Sequence, residues 1–197
     1  MEQIGQTIKS GFGKGRMTHL PSCKSSEQRV AALANYKTIE DFALANTPDM
    51  QLTLYNDTDR CYFGSYPTLG DLDKCYGRNA SSYWLVPELT NLSEFCGCKE
   101  KLTGNSLKEC AVIIAQQYHY LKTSEMMLFF YKFKAGEYGR FYGSVDPLVI
   151  MQALKEFIRD RYTAYEHRES ELRKKQYEES IKNSISYQEY QKRLKAV

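Results

Sequence analysis

From residue 26 to residue 165 the apolar side chains recur at three- and four-residue intervals, the period of helices with one buried face. Two short capped helices open this region. Ser-Ser-Glu-Gln precedes Val30, Ala31, Leu33 and Ala34, and Thr38 precedes Ile39, Phe42 and Leu44, with Pro48 ending the second. Pro67-Thr68 starts another, which Gly77 stops in the left-handed conformation. Leu85, Leu89, Leu92 and Cys96, widened by Trp84 and Phe95, make a core helix over 83–96 that Pro87 either starts or kinks. Thr103 or Asn105 caps the next, whose stripe of Leu107, Cys110, Ala111, Ile114, Tyr118 and Leu121 is the clearest amphipathic pattern in the chain.

Thr123 or Ser124 then opens Met-Met-Leu-Phe-Phe-Tyr-Lys-Phe, which is apolar almost all round and belongs at the centre of a bundle. Lys132 and Lys134 sit where the helix dipole favours cations, and Gly136 stops the helix. Asp146-Pro147 is an N-cap followed by proline at the first helical position. Ile150, Met151, Leu154, Phe157, Ile158, Tyr162 and Tyr165 carry the stripe of that last long helix. Only residues 52–63 depart from the helical period: Leu52, Leu54, Tyr55 and Cys61, Tyr62, Phe63 flank Asn56-Asp57 and read either as a short β-hairpin or as plain loop.

The pattern therefore predicts a mainly α-helical chain, a compact bundle of about five to seven helices. Residues 26–165 form its single domain. Residues 1–25, with five glycines or prolines, carry Lys9, Lys14, Arg16 and Lys24 against Glu2 alone, and read as a flexible basic arm. Beyond Glu166 the stripe thins to Leu172, Tyr177, Ile181 and Ile185 amid charges, so residues 166–197 form a charged helical extension, with Tyr187, Tyr190, Leu194 and Val197 as a last amphipathic set.

Composition changes this picture little. The net charge of +3 is the difference between 27 basic and 24 acidic side chains and gives no strong overall field. The 16 Tyr and 9 Phe predict an aromatic core. No run approaches the roughly 18 apolar residues of a membrane span, and the first residues lack the apolar stretch of a secretory signal, so the expected setting is cytoplasmic, with reduced cysteines and chance sequons at Asn56, Asn79 and Asn91.

No catalytic constellation emerges. Gly-Phe-Gly-Lys-Gly at 11–15 resembles a phosphate loop, but Ile8 stands where the first glycine belongs and Gly15 where a hydroxyl is needed. His19, His119 and His167 pair with no nucleophile in sequence. Cys96 and Cys98 lack the usual knuckle spacing and a nearby histidine, so no metal is expected. Asp57 with Asp59 and Asp71 with Asp73 fit capping and solvation better than ion binding. No cofactor is expected and the chain is read as a non-enzyme.

Phe129 to Pro147, FFYKFKAGEYGRFYGSVDP, is the segment a plain helix connection does not explain. One reading is architectural: Gly136, Gly139 and Gly143 permit positive φ, Phe133, Tyr138, Phe141 and Tyr142 fill the bundle end, and Asp146 caps the next helix. The other makes Tyr138, Arg140 and Tyr142, with Lys132 and Lys134, an exposed aromatic and basic surface for stacking on single-stranded bases, pairing a phosphate, or anchoring a protein.

PTLGDLDKCYG at 67–77, LSEFCG at 92–97 and FKAGEYGRFYGSVDP at 133–147 resemble a family of uncharacterised proteins encoded on mobile elements and genomes of Bacteroides-type gut bacteria, over about residues 67–165. The resemblance implies a bacterial cytoplasmic setting and supplies no catalytic residues. The turn built from glycines and tyrosines at 136–143, before a closing helix, is also similar to small phage proteins encoded near replication genes. The expected function is a non-enzymatic accessory protein that binds DNA or a replication protein through the glycine-aromatic loop and the basic arm. The alternative is a protein-interaction adaptor that acts, or self-associates, through its C-terminal helix.

Overall fold

The structure, a computed structural model, describes residues 26–183, so the arm expected over 1–25 and the last amphipathic set at 186–197 lie outside the described residues. The described chain is mainly α-helical, with nine helices in this span: α1 Ser26–Leu33, α2 Ile39–Ala45, α3 Met50–Leu54, α4 Thr58–Phe63, α5 Leu69–Tyr76, α6 Ala80–Phe95, α7 Gly104–Gln117, α8 Thr123–Lys134 and α9 Pro147–Asn183.

Local chemistry sets most boundaries. The Thr38 and Thr68 hydroxyls accept the amides of Asp41 and Asp71, whose carboxylates return the bond to the cap amides. Thr103 caps α7 through the amide of Ser106, and Asp146 accepts the amide of Leu148 at 2.8 Å at the start of α9. Pro87 lies inside α6, which begins earlier than the stripe indicated, at Ala80 after a left-handed Asn79.

Residues 52–63 hold two short helices in place of a hairpin or loop. As a strand, Leu52 and Leu54 would share a face; instead Leu54 is 7% exposed and Leu52 68%, while Gln51 and Leu54, three apart, are both buried. The Asp57 carboxylate accepts the amide of Arg60 at 2.8 Å and nucleates α4 in the stretch that would have been the returning strand.

α8 is the central element. Every residue from Leu121 to Phe130 is buried, and α3, α4, α6 and α9 all pack on it. Phe129 meets Phe130, Phe133, Tyr138 and Phe157 with ring centroids 5.2–6.1 Å apart, which is the aromatic core the composition called for. Leading into α8, residues 119–123 pair with 67–70: the amides of Leu69, Gly70 and Thr123 bond the carbonyls of Leu121, His119 and Pro67 at 2.8–2.9 Å. α6 lies along α7 and α5, and the Trp84 indole donates to the Asn46 carbonyl at 3.0 Å, fastening α2 to this layer.

α9 is held to the body by a buried polar cluster. Glu125 is fully buried; its Oε1 accepts Arg161 Nε at 2.8 Å and, at 3.2 Å, a share of the Tyr165 hydroxyl proton whose shorter bond goes to the Tyr62 carbonyl, and its Oε2 accepts the Lys122 amide at 2.9 Å. The Lys122 ammonium and the Tyr165 hydroxyl both donate to the Tyr62 carbonyl, at 2.5 and 2.6 Å, and the Ser124 hydroxyl donates to the Cys61 carbonyl at 2.8 Å. The C-terminal turn of α4 is thereby given donors that a helix of six residues cannot supply itself. Past Tyr165 α9 continues to Asn183, and every described side chain from Ser170 to Lys182 is exposed.

Candidate functional site

The glycine-aromatic loop between α8 and α9 divides its residues between core and surface. Gly136, Gly139 and Gly143 all take positive φ, of 86°, 96° and 79°. Around Gly139 a Cβ would meet nothing within 4 Å, so glycine is required there by backbone conformation and not by space. The loop is fastened at its end by the Val145 amide to the Glu100 carbonyl at 3.0 Å, and by a tight turn closed between Ser144 and Tyr142.

Tyr138 is buried, stacks on Phe129 with centroids 6.1 Å apart, and donates to Asp160 Oδ2 at 2.7 Å. Burial, reinforced by that bond, pushes its phenol far above the ordinary tyrosine value. Phe141 is half-buried against Phe133. Tyr138 therefore belongs to the bundle end, as the architectural reading has it. Tyr142 is 78% exposed and Arg140 lies beside it, with its guanidinium carbon 5.0 Å from the ring centroid and Nε donating to the phenol oxygen at 3.2 Å. Of the three residues grouped by sequence, Arg140 and Tyr142 are brought together in solvent, on a loop whose other aromatics are anchored.

Lys132 and Lys134 do not join them. Two residues apart on a helix they point about 200° apart. Lys132 pairs with Glu137 at 2.9 Å, on the edge of a groove of about 660 Å³ between α4, α8 and α9. Two further basic side chains of that groove also have acidic neighbours: Arg168 lies 3.8 Å from Asp59 and stacks over Phe63 at 4.1 Å, and the His167 ring stands 4.0 Å from Glu171.

Lys134 enters a different place, a cleft of about 320 Å³ between α3, α6 and α8. Its ammonium donates to Gln51 Oε1 at 2.8 Å and to Asn91 Oδ1, and lies 5.6 Å from the Phe95 ring centroid. Behind it Gln51 donates to Glu88 Oε2, while Glu88 Oε1 is buried with no hydrogen-bond partner. Burial pushes Glu88 up to about 7, against the Gln51 bond and the Lys134 charge, and burial also lowers Lys134 below the ordinary lysine value, against the attraction of Glu88. Nothing local in the sequence marked Gln51 and Glu88, and Asn91 stood out only as a chance sequon; α3 and α6, far from α8 in the chain, bring them to Lys134.

The cysteines are spread over several elements. Cys61 and Cys110 are buried in α4 and α7, where burial pushes their thiols up to about 11; Cys75 is exposed, and Cys96 and Cys98 are half-buried. Among the described residues no three His, Cys, Asp or Glu side chains come together as a metal cage, and no helix is long and apolar enough to cross a membrane.

Residues 101–197 match the model of a family of unknown function (DUF6633). The matched part contains α7, α8, the glycine-aromatic loop and α9, and leaves out Gln51, Glu88 and Asn91. No curated protein and no solved structure matches the chain.

Proposed function

We propose that this is a non-enzymatic accessory protein that binds single-stranded nucleic acid, with Arg140 and Tyr142 as the contact pair. The observation that carries the reading is the exposure of Tyr142, 78%, under the Arg140 guanidinium, on a loop fixed by Tyr138, Phe141 and Val145. A base stacks on the aromatic face that Arg140 leaves open, without regard to its identity, and the guanidinium over the other face meets the phosphate that follows. Because the loop is anchored, little ordering accompanies binding. The mobile-element setting implied by the sequence resemblance fits such a role, and the basic arm at 1–25 would add non-specific phosphate contacts.

Fluorescence anisotropy with a labelled single-stranded oligonucleotide tests it. Tyr142→Ala should weaken binding roughly tenfold, the value of one base stack. Tyr138→Phe, which removes only the bond to Asp160, should cost about 1 kcal/mol of stability and leave affinity unchanged. Equal affinity of wild type and Tyr142→Ala would remove the contact pair from consideration.

A second reading rests on α9. A helix whose described side chains are all exposed from Ser170 to Lys182, with Tyr177 68% exposed, offers a surface to a protein partner or to a second copy of the chain. If it serves that purpose, sedimentation should show self-association or partner capture by the full chain that is lost on deleting residues 170–197. An unchanged oligomeric state and unchanged partner recovery would sink it.

A further inference from the structure

We infer that Cys96 and Cys98 are a redox-active dithiol that exchanges with low-molecular-weight disulfides such as oxidised glutathione, closing an internal disulfide across Gly97. Helix α6 ends at Phe95, and Cys96 is its C-cap, with its amide on the Leu92 carbonyl at 3.2 Å. Gly97 then takes a positive φ of 65°, a conformation glycine adopts without strain. The chain turns back there, and the Cys98 thiol points onto the Cys96 carbonyl, with Sγ 3.8 Å from the oxygen. Just beyond, the Lys101 ammonium donates to the Ser93 and Glu94 carbonyls at 2.9 and 3.0 Å, and the Leu102 amide donates to the Ser93 hydroxyl at 3.1 Å. The segment 96–98 is thus fastened on both sides, and its two thiols are held together before any oxidant arrives. Burial pushes the Cys96 thiol up and the neighbouring Cys98 adds to the shift, while Lys101 and Lys134 oppose it, so the two sulfurs lie within electrostatic reach of each other.

Access and loop size decide what such a pair is for. Both thiols are half-buried, within reach of a small disulfide, whereas Cys61 and Cys110 are buried in helices and Cys75 stands exposed on α5. A disulfide that spans a single residue removes little entropy from the unfolded chain, so this one contributes almost nothing as a staple. Accessible disulfides of this kind are the labile ones, and their chemistry is exchange. One protein thiolate attacks a sulfur of the small disulfide, breaks its S–S bond, expels one small thiolate and leaves a mixed disulfide. The second protein thiolate attacks the protein sulfur of that mixed bond and expels the other small thiolate. The two cysteines lose two electrons, the small disulfide gains them, and the two protons pass to the departing thiolates.

The test is equilibration of the full chain with glutathione over a range of reduced-to-oxidised ratios, followed by acid quenching, alkylation of the remaining thiols in denaturant and mass spectrometry. The tryptic peptide 79–99 carries both cysteines and no other. The expected result is one transition, in which this peptide passes from doubly alkylated to an unalkylated internal disulfide with little glutathione adduct, while Cys61 and Cys110 stay alkylated. In Cys96→Ser and in Cys98→Ser the remaining cysteine should hold the glutathione adduct at roughly tenfold or more its wild-type level, because no second thiol is at hand to resolve it. The wild-type result stands without the variants, and circular dichroism checks that they keep the helical fold. A wild-type peptide that stays doubly alkylated at every ratio, that collects glutathione adduct as the single variants do, or that is found joined to another cysteine of the chain would overturn the inference. No nucleic acid enters this readout, so its outcome is independent of the Arg140–Tyr142 reading.

Discussion

Arg161→Met should lower the stability of the protein by about 3–5 kcal/mol, the cost of leaving a buried charge without its partner. Glu125 is fully buried, and among the described residues bonded to its carboxylate only Arg161, with its guanidinium at 2.8 Å, carries a balancing charge. The remaining donors, the Lys122 amide and the Tyr165 hydroxyl, are neutral. Methionine keeps much of the arginine's packing volume and none of its charge, so the loss reports electrostatics more than cavity formation. The double variant Glu125→Gln, Arg161→Met should regain part of the loss, because a neutral amide carries no charge to strand. Urea unfolding at neutral pH measures both. A loss under about 1 kcal/mol for the single variant would mean that Arg161 acts as a surface cation and that α9 is held by packing alone.

Glu88 gives the second large effect, and its sign is opposite to that of an ordinary ion-paired carboxylate. Its pKa in the folded protein is raised from the usual 4.5 to about 7, so between those values the folded state holds a proton that the unfolded chain has released. Stability from this group is complete below the unfolded value and falls as pH rises through 7. The loss between about pH 5 and about pH 8 is about 2–3 kcal/mol. Lys134 and Asp49 are the charged groups acting on it, the first favouring ionisation and the second opposing it. Glu88→Gln has nothing to titrate. The stability of the variant relative to wild type should therefore climb by that amount across the interval, read as the difference between two urea series, which cancels the other carboxylates. A constant difference across the interval would show that Glu88 titrates as an exposed glutamate does.

Most of the helices were legible because their determinants are local. The stripe from Cys110 to Leu121 is buried as its spacing requires, and the all-round apolar run of α8 could satisfy its faces only by lying at the centre. Residues 52–63 were misread because five or six residues give too few positions to separate period two from period 3.6. The deciding facts, a buried Gln51 and an Asp57 cap, come from a tertiary contact and a single side chain.

Within the glycine-aromatic loop, Tyr138 and Tyr142 are equivalent in composition. Three positive-φ glycines break any regular period, so sequence could not say which of them turns inward. Lys132 and Lys134 were grouped by adjacency, although their angular separation on a helix already set them on different sides. The Lys134 cleft was beyond local reading altogether: Gln51 lies 37 residues from Glu88 and 83 from Lys134, and no motif connects residues at such distances. Lys122, Glu125 and Arg161 likewise look like surface charges in sequence. Lys122 is buried where, with Tyr165, it supplies donors to the last-turn carbonyl that α4 leaves open, Glu125 and the partly buried Arg161 complete the cluster, and that need appears only when α4, α8 and α9 are assembled.

The most direct measurement is the salt dependence of single-stranded DNA binding by anisotropy, set beside the same series for duplex DNA. The prediction is a linear fall of log affinity with log salt, a preference for the single strand at every salt concentration, and a slope reduced by about one in Arg140→Ala. No binding at low salt, or a slope and strand preference untouched in both Arg140→Ala and Tyr142→Ala, would contradict nucleic-acid recognition through this loop.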